Sequence, residues 1–555
     1  MTGELPPDVA PDAASGIGRA SAILASGTLV SRLLGFVSAA VLAYTLGTIG
    51  VAANTFRIAN QLPNNIYAII AGGLLSAILV PQIVRASKDT DGGEKFVNRL
   101  VTLGIVAFLA IAVAATLLAG PLVHLYASQA TNGSGRGLSA ADFQLATAFA
   151  YWCLPQILFY ALYSLLGEVL NARRVFGPFT WAPVVNNLVA IAGLVAFNLL
   201  FAGSTQADAW HWTPGMVTLL AGSATLGVVG QAFFLVLFWR RTGLHFRPEF
   251  RWRGVGLGKI GRAAFWTFSM ILITQLAGIV QSRIATLAGK HNPSNAVLWY
   301  AWLIFMLPHG IITISIATPY FTRMSGHAHR GDFDALRSDL GAALRTIGVL
   351  LTFASVALIA VANPFSAVFS QTTAQSGAMA AVLIAYLVGL LPFSIVFVLQ
   401  RTFYSLEDTR TPFLFQTFQS VLLVAGMLFA GTLGAPVIAL GIAIATTLAD
   451  IALVIVAAVL LSRRMHGLGA AALFRSYFRF AVAVVPAAAA GVGLDYLFGS
   501  FDGGFAESGR FAALLCVAVI GAGMALVYAG MLAVLRVPEF AALTAPLRRR
   551  LRRAA

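Results

Sequence analysis

Runs of twenty or more mostly apolar residues recur from residue 20 to residue 535, and no water-soluble fold can bury them all. They fall near 20–47, 54–84, 98–126, 144–170, 180–203, 214–239, 262–289, 295–322, 338–362, 376–404, 412–431, 434–462, 476–499 and 509–535. A helix needs about 20 such residues to cross the hydrocarbon core of a bilayer. Backbone groups find no water there, so each run must close its hydrogen bonds within itself, as a helix. The 555 residues are 59% hydrophobic and 10% charged, where soluble domains carry about 25% charge. The pattern predicts an all-α polytopic membrane protein with 14 transmembrane helices. It excludes a secreted disulfide scaffold, because Cys153 and Cys516 are the only cysteines and both lie in apolar runs.

The net charge of +16 would suggest nucleic acid in a soluble protein. Here no soluble basic domain exists to bind it, and the cations sort by loop. With the N-terminus inside, 30 of the 36 Lys and Arg residues fall in inner segments. Arg136, Lys290 and Arg510 lie outside, and Arg32, Arg57 and Arg283 lie within spans. The positive-inside rule then places both termini in the cytoplasm. The stretch 1–17 carries Glu4, Asp8 and Asp12 without a basic start, which reads as a polar tail rather than a signal peptide. The basic inner loops and the Arg548–Arg553 cluster are expected to rest on anionic lipid headgroups.

Two segments echo each other. Leu62-Pro63-Asn64 is followed by a P-x-x-x-R-x-S pattern at Pro81–Ser87, and Leu307-Pro308-His309 by the same pattern at Pro319–Ser325. The copies are six helices apart and run in the same direction. This predicts two pseudo-symmetric six-helix lobes, related by an axis along the membrane normal, plus two further helices. The expected organisation is a cytoplasmic tail (1–19), an N-lobe (20–239), a basic linker (240–261), a C-lobe (262–462), helices 13 and 14 (463–535) and a basic tail (536–555). Pro63 and Pro308 each remove a backbone donor and bend their helices, making them candidate hinges.

An arginine at the bilayer centre costs about 2.5–3.5 kcal/mol on insertion scales, so Arg32, Arg57 and Arg283 must face water, acids or an anionic ligand. Glu168 and Asp450 are the candidate acidic partners or coupling groups. Asn54, Arg57, Gln61 and Asn65 recur at spacings of three and four, forming one polar stripe on the second helix. A cationic, amide-rich cavity suits a phosphorylated, sugar-bearing ligand, since arginine forks match phosphate oxygens. His309 is a candidate titrating switch. No catalytic constellation, metal-ligand cluster or cofactor motif is evident. Gly254–Lys259 lacks the spacing of a phosphate loop.

Several motifs carry a family resemblance. Ser31-Arg32-Leu33-Leu34-Gly35-Phe36, Ala59–Asn64, Leu79-Val80-Pro81, Gly167–Arg173, Trp181–Asn187, Leu307–Gly310 and Tyr404–Pro412 together resemble the MurJ (MviN) family of lipid II flippases, in its high-GC Gram-positive branch. The resemblance spans about residues 20–465. It implies the multidrug/oligosaccharidyl-lipid/polysaccharide exporter fold, with helices 13 and 14 providing a groove for the lipid tail. It also implies a location in the bacterial cytoplasmic membrane and a role in peptidoglycan synthesis.

The family's first essential arginine matches Arg32, and Gly35 is the hinge beside it. Elsewhere charges are missing. Positions charged in the family read Ser38, Asn54, Tyr67, Ala68, Trp302 and Leu303, and the A-E-G element reads Ala71-Gly72-Gly73. Carboxylates for a sodium site have no match, so the membrane potential is the expected driving force, with no cofactor. The expected function is alternating-access flipping of lipid II, the undecaprenyl-pyrophosphate-linked muropeptide. Arg32, Arg57, Arg283, Asn54, Gln61, Asn64 and Asn65 would bind the headgroup, with cell-wall synthesis proteins as further partners. The competing readings are an exporter of another lipid-linked saccharide, a drug/cation antiporter and a non-transporting scaffold.

Overall fold

The computed structural model describes residues 11–71, 83, 85–86, 91–130, 136–173, 175, 177–201, 208–250, 257–499 and 504–545. Leu79–Pro81, Gly72-Gly73, Gly254–Gly256 and the Arg548–Arg553 cluster lie outside them. The described residues hold no β-strand. Their helices are α1 (Pro11–Leu46), α2 (Val51–Ala71), α3 (Glu94–Leu117), α4 (Ala119–Tyr126), α5 (Ala140–Cys153), α6 (Gln156–Ala172), α7 (Gly177–Leu200) and α8 (Pro214–Val236). There follow α9 (Leu257–Thr286), α10 (Asn295–Pro308), α11 (Ile314–His329), α12 (Phe333–Ala360), α13 (Ala362–Ala367), α14 (Thr373–Val388) and α15 (Leu390–Ser405). The last four are α16 (Arg410–Thr432), α17 (Ile438–Arg464), α18 (Ala470–Leu497) and α19 (Arg510–Val534).

Thirteen stretches among the described residues are long and apolar enough to cross a membrane. The second expected run is the one not among them. Its described part, α2, carries Asn54, Arg57, Asn60, Gln61, Asn64 and Asn65, which dilute its hydropathy. Several single runs are broken helices. The run 98–126 divides at Leu118, 144–170 at Leu154-Pro155 and 376–404 at Gly389. At 295–322 Pro308 is followed by one wide π-turn, His309–Thr313, before α11 continues. A proline without an N–H cannot hold the ordinary ladder, and a π-turn absorbs the mismatch.

Local chemistry explains several helix starts. The Thr213 hydroxyl accepts the Met216 N–H with Pro214 in the first turn, and Asp332 accepts the Ala335 N–H at the start of α12. Asp91 accepts the N–H groups of Gly93 and Lys95 ahead of α3.

The chain forms two compact units. The first comprises the described parts of Met1–Thr45, Thr55–His124 and Ala140–Ile271. Its tightest pair is α7 against α8. A Cβ placed on Gly193 would come within 2.2 Å of the Ser223 side chain, and one on Gly227 within 2.5 Å of Asn186 Oδ1. Without a hydrophobic effect inside lipid, such small-residue contacts are what hold helices together.

The second unit comprises Leu46–Asn54, Leu125–Ser139 and the described parts of Leu272–Ala555. Here α18 and α19 pack on α12 around Phe480, Cys516, Ile520 and Met524. Tyr528 and Tyr477 donate their hydroxyls to the carbonyls of Val349 and Leu344, both at 2.9 Å. Each bond fixes a helix that apolar packing alone would let slide.

Candidate functional site

In the first unit, Arg32 is exposed and lies six residues into the candidate span Ser26–Leu46. Two amides of α7 hold α1 in place around it. Asn187 Nδ2 donates to the Ser31 carbonyl at 2.9 Å, and Asn198 Nδ2 donates to Thr45 Oγ1 at 2.7 Å. A Cβ on Gly35 would lie 3.6 Å from that same Asn187 amide, an ordinary van der Waals contact, so packing here does not by itself require glycine. Asn187 therefore positions the backbone beside Arg32. Sequence reasoning met it only as part of a motif, because nothing in the spacing joins helices 156 residues apart.

On α2, Arg57, Gln61 and Asn65 are half-buried and Asn64 is exposed, while Pro63 is buried within a continuous helix. Next to this row the sequence reading missed a set of tyrosines. Tyr67, where the resemblance would place an arginine, lies 6.0 Å from the Tyr160 ring and shares a hydrogen bond with Ser164 of α6. Glu168, one turn further along α6, lies within electrostatic range of Tyr67 and Tyr163. Gln156 Nε2 donates to Thr225 Oγ1 at 2.9 Å and reaches Asn60 Oδ1 at 3.5 Å. The unit thus presents hydroxyls and amides around one half-buried arginine and one carboxylate.

In the second unit three expectations change. Asn54 is 2% exposed and its Oδ1 accepts the Ala296 N–H at 3.1 Å, so it caps α10 rather than lining a wet surface. Arg283 is not at mid-span. It lies in the last turn of α9, exposed, with Nη1 3.5 Å from the Leu125 carbonyl. Its own carbonyl accepts from Thr286 Oγ1 and Ser128 Oγ. Among the described residues Asp450 pairs with no arginine. It is 2% exposed and accepts the Gln419 amide, whose oxygen in turn accepts from Gln416. Two glutamines one turn apart on α16 meet the carboxylate on α17, a long-range arrangement that no local pattern encodes.

His309 is buried at the π-turn, with Nδ1 2.9 Å from Ser394 Oγ. It ties the irregular turn after Pro308 to α15. Among the described residues no cluster of three His, Cys, Asp or Glu side chains forms a metal site.

Comparison with known proteins gives these arrangements a family. A model described as "Lipid II flippase MurJ" matches residues 42–512. The chain is 27% identical over 406 residues to a probable lipid II flippase MurJ of Vibrio cholerae, covering 70% of this chain and 73% of that one. A solved MurJ in an inward closed conformation superposes with a TM-score of 0.70 at 19% identity, covering 92% of this chain and 98% of that one. An inward-facing multidrug transporter of the MATE family shares the fold at a TM-score of 0.54 and 17% identity. The antiporter and scaffold readings are not favoured by these matches. With the family model covering most of its length and thirteen helices among the described residues long and apolar enough to cross a membrane, the chain belongs to the MurJ family of lipid II flippases.

Proposed function

We propose that the chain moves lipid II from the inner to the outer leaflet of the cytoplasmic membrane by alternating access, with Arg32 as the first protein group to meet the pyrophosphate. The family is one of multi-pass transporters and not of enzymes, so the chemistry needed is binding and release. The carrying observation is Arg32 itself, exposed two turns inside a span on a helix pinned by Asn187 and Asn198.

In the 14-helix topology with both termini inside, α2 supplies the fourteenth span. Arg32 then lies in the inner half of α1, Arg57 near the outer start of α2 and Arg283 at the outer end of α9. Cations at these depths would serve successive stages of transfer, with Gln61, Asn64 and Asn65 hydrogen-bonding the sugar and peptide. The headgroup carries about two negative charges, and the potential favours outward movement by about 2.3 kcal/mol per charge per 100 mV. About 4–5 kcal/mol is thus available without a coupling ion. The basic inner segments would hold anionic lipids.

The test is outer-leaflet lipid II in a flippase-depleted strain rescued with wild type or Arg32→Ala. Wild type should restore it and Arg32→Ala should not. Full rescue by a well-expressed Arg32→Ala protein would overturn the role of Arg32.

A further inference from the structure

One face of α15 in the second unit carries chemistry that the reading above leaves unused. Phe393, Phe397 and Arg401 recur every fourth residue and are all half-buried, while Ser394, Val398 and Thr402 on the adjoining face are fully buried. The rings run on without a gap. Trp302 of α10 meets Phe393 edge-to-face at 5.7 Å, and Phe393 meets His309 at 4.8 Å. His309 meets Phe397 at 5.2 Å, and the Arg401 guanidinium stacks over Phe397 at 4.9 Å and over Phe321 of α11 at 5.4 Å.

Two features set this row apart from ordinary core packing. Arg401 is held by two aromatic faces, and among the described residues its guanidinium has neither a carboxylate partner nor a hydrogen bond. Stacking leaves the edge of the guanidinium plane free, which is where its five N–H donors point. Trp302, meanwhile, has one face committed to Phe305, stacked at 4.7 Å, yet remains partly exposed. It stands where the resemblance would place a charge. The row therefore offers an aromatic platform at one end and, at the other, a cation that no carboxylate among the described residues neutralises.

We propose that this row is a binding rail for the phosphorylated saccharide of the substrate. The apolar C–H faces of the sugar rings rest on Trp302 and Phe393, and a phosphate oxygen pair takes the free edge of Arg401. Phe393 to Arg401 is eight residues of helix, about 12 Å, a length that a disaccharide and its phosphate can cover. Electron-rich ring faces attract the slightly positive C–H groups of a pyranose, and the arginine supplies the bidentate donor that a phosphate matches. The proposal rests on the lipid II reading and adds a saccharide subsite to it.

Binding of two lipids to the purified full-length protein in detergent tests the rail. Lipid II carries tail, pyrophosphate and sugars, whereas undecaprenyl pyrophosphate lacks the sugars. Trp302→Ala should weaken lipid II about tenfold and leave undecaprenyl pyrophosphate unchanged, and Trp302→Phe should bind as wild type. Phe393→Leu, at a half-buried position, should repeat the selective loss in a second background. Arg401→Gln should weaken both lipids. Equal affinities of wild type, Trp302→Ala and Phe393→Leu for lipid II would overturn the rail while leaving the flippase reading intact. A wild-type protein that fails to distinguish lipid II from a zwitterionic phospholipid would overturn both.

Discussion

The side-chain oxygen of Asn54 accepts the backbone N–H of Ala296, the second residue of α10, at 3.1 Å. The residue just before α10, Ser294, contributes no side-chain cap of its own. An asparagine 242 positions earlier in the chain thus satisfies a helix start that the local sequence leaves open.

Asn54→Ala should therefore destabilise the protein by about 1–2 kcal/mol, the usual cost of losing a cap whose N–H is buried. Asn54→Asp, which keeps an acceptor oxygen, should lose less. Thermal melting in detergent checks both, and an unchanged midpoint for Asn54→Ala would refute the capping role.

Asn187→Leu removes the donor that holds the Ser31 carbonyl. The arginine one residue on remains, but its helix is less tightly placed. Flipping should fall several-fold, less than in Arg32→Ala, with expression retained. A loss as complete as that of Arg32→Ala would assign the amide itself to the substrate.

Gly193→Val should disrupt the α7–α8 pair, since even a Cβ lies 2.2 Å from the Ser223 side chain. Overpacking of this kind costs about 1–3 kcal/mol or more. Gly193→Val with Ser223→Gly should recover part of it, read as melting midpoints. No recovery in the double variant would place the strain elsewhere.

Asp408, in the loop between α15 and α16, should give a stability contribution that acid removes. Partial burial alone would raise its pKa, but the backbone N–H and hydroxyl of Thr411 and the Arg464 guanidinium outweigh it and hold the value below the usual carboxylate one. A depressed folded pKa stabilises above the unfolded pKa, about 3.9, and the gain fades as pH falls through the folded value. The difference in melting midpoint between wild type and Asp408→Asn should be constant from pH 6 to about pH 5 and shrink below about pH 4. A difference that grows in acid would contradict the assignment.

Much of the site was readable from residue types alone. Arg32 stood out because an arginine inside an apolar run is costly, and the S-R-x-x-G-F motif pointed the same way. Arg283 misled for a related reason. An apolar window shows that a cation lies within a run but does not mark where the helix ends, and α9 ends three residues later at Thr286. Asp450 takes the Gln419 amide where the sequence suggested an arginine, because a carboxylate deep among helices can be satisfied by an amide from a neighbouring helix. The rows around Tyr67 and Arg401 went unseen because aromatic residues are abundant in every span, and only packing tells a platform from filler.

The sequence by itself determined that the chain crosses a membrane many times as helices, because twenty apolar residues in lipid leave the backbone no other way to satisfy its hydrogen bonds. The family motifs it carries set the kind of cargo. Tertiary structure alone decided which polar side chains serve the fold and which stay open to a ligand. Asn54, Asp450 and His309 are used up in holding helices together, while Arg32 remains exposed on a braced helix and Arg401 is clasped by two phenyl rings. The physical reason is that a polar group in a bundle must find a partner, and partners in a helical membrane protein come from helices far apart in sequence, which only the packed fold brings together.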